Sequence, residues 1–136
     1  MTRSIKNIII GIAVTLMISC DPLPEEAQIE FFLSKKWDLI DLQMNGFTDE
    51  TVDISRYTLE FNEDGSMTRT NFDGSIEMGS WSLVNGDREL IIFEGQAEEQ
   101  RFLIIDIQIR RLELQTLITS NKTGATEFRF IFVPAS

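Results

Sequence analysis

The chain of 136 residues contains no histidine. That removes the commonest general base, the Ser–His and Cys–His nucleophile pairs, and the most frequent metal ligand. Cys20 is the single cysteine, so no disulfide can form within the chain. Basic residues are scarce: 12 Lys and Arg stand against 22 Asp and Glu, a formal charge of −10. Phosphate binding needs a basic stripe, which argues against nucleic acid as a partner. The apolar run Ile8 to Ile18 is too short for a transmembrane helix, which needs about 18 residues or more. No Gly-rich phosphate loop, nucleophile elbow or zinc spacing is present. The expectation is therefore no metal and no cofactor.

What is there begins with an address. Arg3 and Lys6 precede the Ile8–Ile18 run, and Ser19 and Cys20 follow it. A basic stretch, a short apolar stretch and a small residue at the cut make a secretory signal. Leu16-Met17-Ile18-Ser19-Cys20 resembles a lipobox, with Met17 standing three before the cysteine where Leu is usual. That resemblance implies cleavage after Ser19, lipidation of Cys20, and a tether over residues 20–24. Several acyl chains make a stable anchor, at about 0.8 kcal/mol per buried methylene. Cleavage removes Arg3 and Lys6 and no acid, taking the formal charge from −10 to −12. Asp21 directly after the cysteine resembles both an inner-membrane retention signal and a surface-export signal. The expected location is the bacterial cell envelope, with the outer membrane or cell surface ranked above the inner membrane.

Residues 25–136 make one ordinary domain, long enough for a real core without disulfides. Pro24 and the two glutamates after it suit a helix start. Ile29, Phe32 and Leu33 share a helical face, with Ala27 and Phe31 beside it, which predicts one short helix over Glu25–Ser34. From Lys36 the period becomes two. Strands are expected at Trp37–Met44, Tyr57–Phe61, Met67–Asn71, Ile76–Val84, Glu89–Phe93, Arg101–Ile107, Leu112–Ile118 and Glu127–Val133. Asp64-Gly65, Asp73-Gly74, Asn85-Gly86 and Asn121–Gly124 supply turns between them. Trp81 should be largely buried, alternating inward with Leu83 beside Gly79, which lets chains approach closely. The fold class is all-β: an antiparallel meander of about eight strands, able to remove its edges by closing into a barrel. Asn45–Ser55 is the longest and most polar loop.

The pattern resembles the small lipocalin-like lipoproteins of bacteria. The residues that carry it are Lys36-Trp37, Leu59-Glu60-Phe61 running into Glu63-Asp64-Gly65, Gly79-Ser80-Trp81-Ser82-Leu83 before Asn85-Gly86, and Leu112-Glu113-Leu114. The resemblance implies a closed or nearly closed lipocalin-like barrel and no particular activity.

Chemistry is limited to carboxylates. Glu60, Asp106, Glu113 and Glu127 lie in expected strands, and a facing pair could serve a hydrolase. Alternation places most of them on the solvent face. Asp106 sits in the apolar run Phe102–Ile107, where it could bond a turn amide or an arginine. Asn62-Glu63-Asp64-Gly65-Ser66 lacks the spaced ligands of a calcium loop and reads as a hairpin turn. The aromatics could fill the barrel or line a cavity. The first reading is thus a non-enzymatic, membrane-anchored module holding a small apolar ligand between Trp37, Tyr57, Phe61 and Trp81. The alternative is an envelope accessory protein working through protein contacts on its outer face or its acidic loop; a carboxylate hydrolase ranks last.

Overall fold

The computed structural model describes residues 26–116 and 126–136. The signal, Cys20, the 20–24 tether and the Asn121–Gly124 turn lie outside the described residues. A helix, α1 (Glu26–Leu33), precedes nine strands. These are β1 (Lys36–Met44), β2 (Phe47–Thr48), β3 (Thr58–Phe61), β4 (Ser66–Thr70) and β5 (Ile76–Val84). They continue as β6 (Glu89–Ile92), β7 (Gln100–Gln108), β8 (Arg111–Thr116) and β9 (Phe128–Pro134). Every pairing is antiparallel, and β1 returns to pair with β9 from Trp37↔Pro134 to Met44↔Phe128. β2 is a two-residue spur on β1, so the closed barrel has eight strands.

The turns follow local chemistry. At Asp64-Gly65-Ser66 and again at Asp73-Gly74-Ser75, the aspartate accepts the serine amide at 2.9 Å and its hydroxyl at 2.6 Å. The glycines take φ of +89° and +88°, open to a residue with no Cβ. These hydrogen bonds, the hydroxyl's first, hold both carboxyls below the ordinary aspartate value. One boundary differs from expectation. Asn45 and Gly46, at φ +52° and +90°, fold the start of the long polar loop into a tight hairpin, setting Met44 opposite Phe47. Two consecutive left-handed residues are the backbone of that turn type.

Two β-bulges resolve the apolar runs that do not alternate. Pairing slips between Leu39 and Asp41 on β1 and between Ile104 and Asp106 on β7. The extra residues, Ile40 and Ile105, turn outward, while Leu39, Leu42, Ile104 and Ile107 all contribute to the core. A bulge shifts side-chain phase by one, which keeps four apolar residues inside and both aspartates outside.

The helix ends at Leu33, one residue earlier than expected. Leu33 is fully buried and Ile29 packs on the core, but Phe31 is 68% exposed. Phe31 is two residues from Ile29, about 200° around a 3.6-residue helix, so it faces away and not beside the buried stripe. The Trp37 indole donates to the Leu33 carbonyl at 3.0 Å, and Lys35 Nζ donates to the Ile109 carbonyl at 3.0 Å. These bonds hold α1 against the barrel end that carries the β3–β4, β5–β6 and β7–β8 turns.

Candidate functional site

The barrel axis is occupied by side chains. Trp37, Phe61, Phe93, Phe102 and Phe132 are all buried within it. Tyr57 lies 4.5 Å from Phe72 and 5.8 Å from Phe130, ring centre to ring centre. Of the four aromatics expected to line a ligand site, Trp37, Tyr57 and Phe61 are part of this packed core. Trp37 and Phe61 sit toward the helix end and Tyr57 toward the opposite mouth, so the four do not surround one space. Trp81 does point inward in register, opposite Ile92, yet stays half-buried. Its strand outruns its neighbour: the β4 ladder ends at Ser66↔Ser80, while β5 continues to Val84 paired with β6.

Gly79 admits a ring and not a neighbouring strand. A Cβ there would collide with the Phe93 side chain. Phe93 itself has φ +56°, an uncommon state for a bulky residue. Its ring is sandwiched between Gly79 and Arg69, whose guanidinium carbon stands 4.5 Å from the ring centre.

Arg69 was not singled out from sequence. Alternation along Ser66–Thr70 puts it inward, but an arginine in a polar strand carries no other signal of burial. Its side chain is 9% exposed. Nη1 donates to Gln100 Oε1 at 2.8 Å and Nη2 to Glu77 Oε2 at 3.0 Å, while Nε has no partner among the described residues. Asn71 Nδ2 also donates to Glu77 at 2.7 Å. The Asn71 bond, with the arginine's help against desolvation, holds Glu77 below its ordinary value. Burial pushes the Tyr57 hydroxyl up to about 12, with Arg69 opposing. This arginine thus plugs the mouth opposite α1 through its ion pair with Glu77.

The remaining space lies at the α1 end. A cleft of about 630 Å³ opens between α1, the β3–β4 turn and the end of β5 that outruns β4. Glu30, Phe31 and Ser34 form one wall, Glu63, Asp64 and Gly65 a second, and Trp81, Ser82 and Leu83 the third. The Trp81 indole donates to the Asn62 carbonyl at 2.8 Å, and Phe61 meets it edge-on at 5.5 Å. A smaller hollow of about 250 Å³ lies on the other rim, by Gln43, Asn45 and Arg129.

Of the four carboxylates expected in strands, Asp106, Glu113 and Glu127 are tied to arginines on the outer surface, and Glu60 has no ion pair among the described residues. Asp106 and Glu113 are cross-strand neighbours bridged by Arg111 at 3.7 and 3.9 Å. Arg129 joins Glu113 at 3.6 Å and Glu127 at 3.9 Å. Asp106 also accepts from Gln108 at 3.1 Å.

Comparison with known proteins follows this geometry. A crystallised lipocalin-like protein from Bacteroides uniformis superposes with a TM-score of 0.53 at 19% identity, covering 76% of this chain and 99% of that one. The fold is lipocalin-like. An uncharacterized protein from Bacteroides eggerthii has the same barrel, with a TM-score of 0.50 at 18% identity and the same coverage. No family model matches the sequence, and no curated protein matches it. In this lipocalin-like barrel α1 covers one end and the Arg69 cluster plugs the other, and the lateral cleft with its aromatic floor stays open to the side.

Proposed function

We propose that the chain is a lipoprotein of the bacterial cell envelope, held at the membrane through lipidated Cys20, and that its lipocalin-like domain is a non-enzymatic binding module. Its ligand is a small, partly apolar molecule taken in the cleft beside α1, not along the barrel axis. The observation that carries this reading is the cleft itself. About 630 Å³ falls within the range of small-molecule sites, and half-buried Trp81 supplies an apolar floor. The non-enzymatic reading rests on the chemistry present. There is no histidine, and the cross-strand carboxylates Asp106 and Glu113 are bound to arginines on the outer wall.

A neutral fluorescent probe such as N-phenyl-1-naphthylamine tests the binding reading. It should bind saturably and quench tryptophan emission, and Ser82→Trp should abolish binding by filling the cleft. Binding that survives Ser82→Trp, or no binding at all, would contradict it. The anchor is tested by fractionation: the native chain should sediment with membranes, and Cys20→Ser should lose its lipid mass.

A second reading, a protein-contact surface, has one observation in its favour. Phe47 is 80% exposed and Met44 42% exposed, facing each other across the β1–β2 hairpin. Exposed apolar side chains grouped on a hairpin suit a partner protein.

A further inference from the structure

We propose that the cleft beside α1 selects an organic cation, a molecule that joins a positively charged head to a short apolar body. This rests on the cleft reading above and names its ligand class.

Charge comes first. Three carboxylates line the cleft, Glu30 from α1 and Glu63 and Asp64 from the β3–β4 turn, and no Lys or Arg lines it. Asp64 is committed to Ser66, whose hydroxyl and amide it accepts. Glu30 and Glu63 are different: among the described residues, neither carboxylate has a hydrogen bond or an ion pair. Asp106, Glu113 and Glu127, by contrast, are each paired with an arginine. The cleft is thus a place where negative charge is left uncompensated.

The aromatics point the same way. The indole N–H of Trp81 is already used on Asn62, so what the ring still offers is π surface. Phe61 braces it at 5.5 Å. Phe31 stands exposed on the facing wall. Aromatic faces attract cations, and quaternary ammonium groups are bound by aromatic rings in this way. An anion would meet three like charges. A neutral molecule would gain the apolar contacts of the cleft but nothing from Glu30 and Glu63. A cation alone gains from both the carboxylates and the rings. The volume exceeds what a bare ammonium head fills, and Leu83 and Phe31 give the body an apolar surface.

The experiment compares one hexyl chain with three heads: trimethylammonium, hydroxyl and sulfate. Each is titrated by calorimetry into the chain from residue 20 onward carrying Cys20→Ser, which retains α1 and every strand of the closed barrel. The cation should bind tightest, by about fivefold over the alcohol at low salt, with the sulfate weakest. Raising salt to about 0.5 M should narrow the gap, since screening shortens to a few ångströms. Glu30→Gln with Glu63→Gln should weaken the cation about tenfold and leave hexanol unchanged. Thermal melts establish that this double variant is folded, and Glu30→Asp with Glu63→Asp should restore most of the preference. If hexanol binds as tightly as the cation, or the glutamine variant leaves the cation unaffected, charge selection is wrong while the cleft reading stands. If no hexyl compound binds, the cleft reading itself fails and takes this proposal with it.

Discussion

Gly79→Ala should be the most damaging single methyl group that can be added to this barrel. The new Cβ would stand 2.3 Å from Phe93 Cδ1 and 2.5 Å from its Cε1. That ring cannot step aside cheaply: it is 1% exposed, the Arg69 guanidinium lies over it, and its backbone is already left-handed at φ +56°. Overpacking of this kind costs about 1–3 kcal/mol. Expelling the ring instead would forfeit about 1.5–3 kcal/mol of burial. Against this, alanine restricts the unfolded chain more than glycine, an offset of about 0.5–1 kcal/mol. The net expectation is a loss of about 2 kcal/mol, or roughly 10 °C in Tm for a domain of this size. Urea unfolding followed by tryptophan emission measures it. The decisive version is a double-mutant cycle with Phe93→Ala. With the ring removed, adding the methyl at 79 should cost nearly nothing, so the coupling equals almost the whole Gly79→Ala penalty. A stable Gly79→Ala protein, or additive effects in the cycle, would show that the ring does not depend on the missing side chain.

The two tryptophans should separate in a truncation series. Trp37→Ala, at a fully buried site bonded to Leu33, should cost about 3–5 kcal/mol, and Trp81→Ala, half-buried at the cleft, about half that by denaturant titration. Arg69→Met should cost about 1–3 kcal/mol, because it leaves Glu77 and Gln100 without their donor at a partly exposed site, and Arg69→Lys should not restore it. Asp64 and Asp73 have folded-state pKa values below their unfolded ones. Their stabilisation is therefore complete above the unfolded value and lost as pH falls through the folded one, below about pH 4. Thermal melts across that range should show a shallower acid slope for Asp64→Asn with Asp73→Asn than for the native chain.

The barrel was legible because its signals are local. Period-two alternation in Tyr57–Phe61 and Gly79–Leu83, and Asp-Gly and Asn-Gly pairs between strands, are each decided within a few residues. The bulges at Ile40 and Ile105 were not, because a run such as Leu39-Ile40 or Ile104-Ile105 satisfies two registers, and only pairing with β9 and β8 selects one. The β1–β2 hairpin was present as Asn45-Gly46 but hidden by the polar residues after it. The site was less legible still. Arg69 and Glu77 face each other across the β4–β5 hairpin, but Gln100 comes from β7 and joins them only when the sheet closes. The cleft depends on β5 being longer than β4, a difference of pairing length that no composition records. Trp81 carries the aromatic signal in both readings, yet its partners Glu30 and Phe31 lie 50 or so residues away on α1.

The central claim is that ligand enters the lateral cleft and leaves the barrel interior undisturbed. Nuclear magnetic resonance of the ¹⁵N-labelled chain, titrated with hexyltrimethylammonium, tests it most directly. The Trp81 indole N–H and the amides of Glu30–Ser34, Glu63–Gly65, Ser82 and Leu83 should shift together along one saturating curve. Tyr57, Arg69 and Gln100 at the opposite mouth should stay in place. Shifts centred on Tyr57, Arg69 and Phe130 would contradict the account and put the ligand inside the barrel.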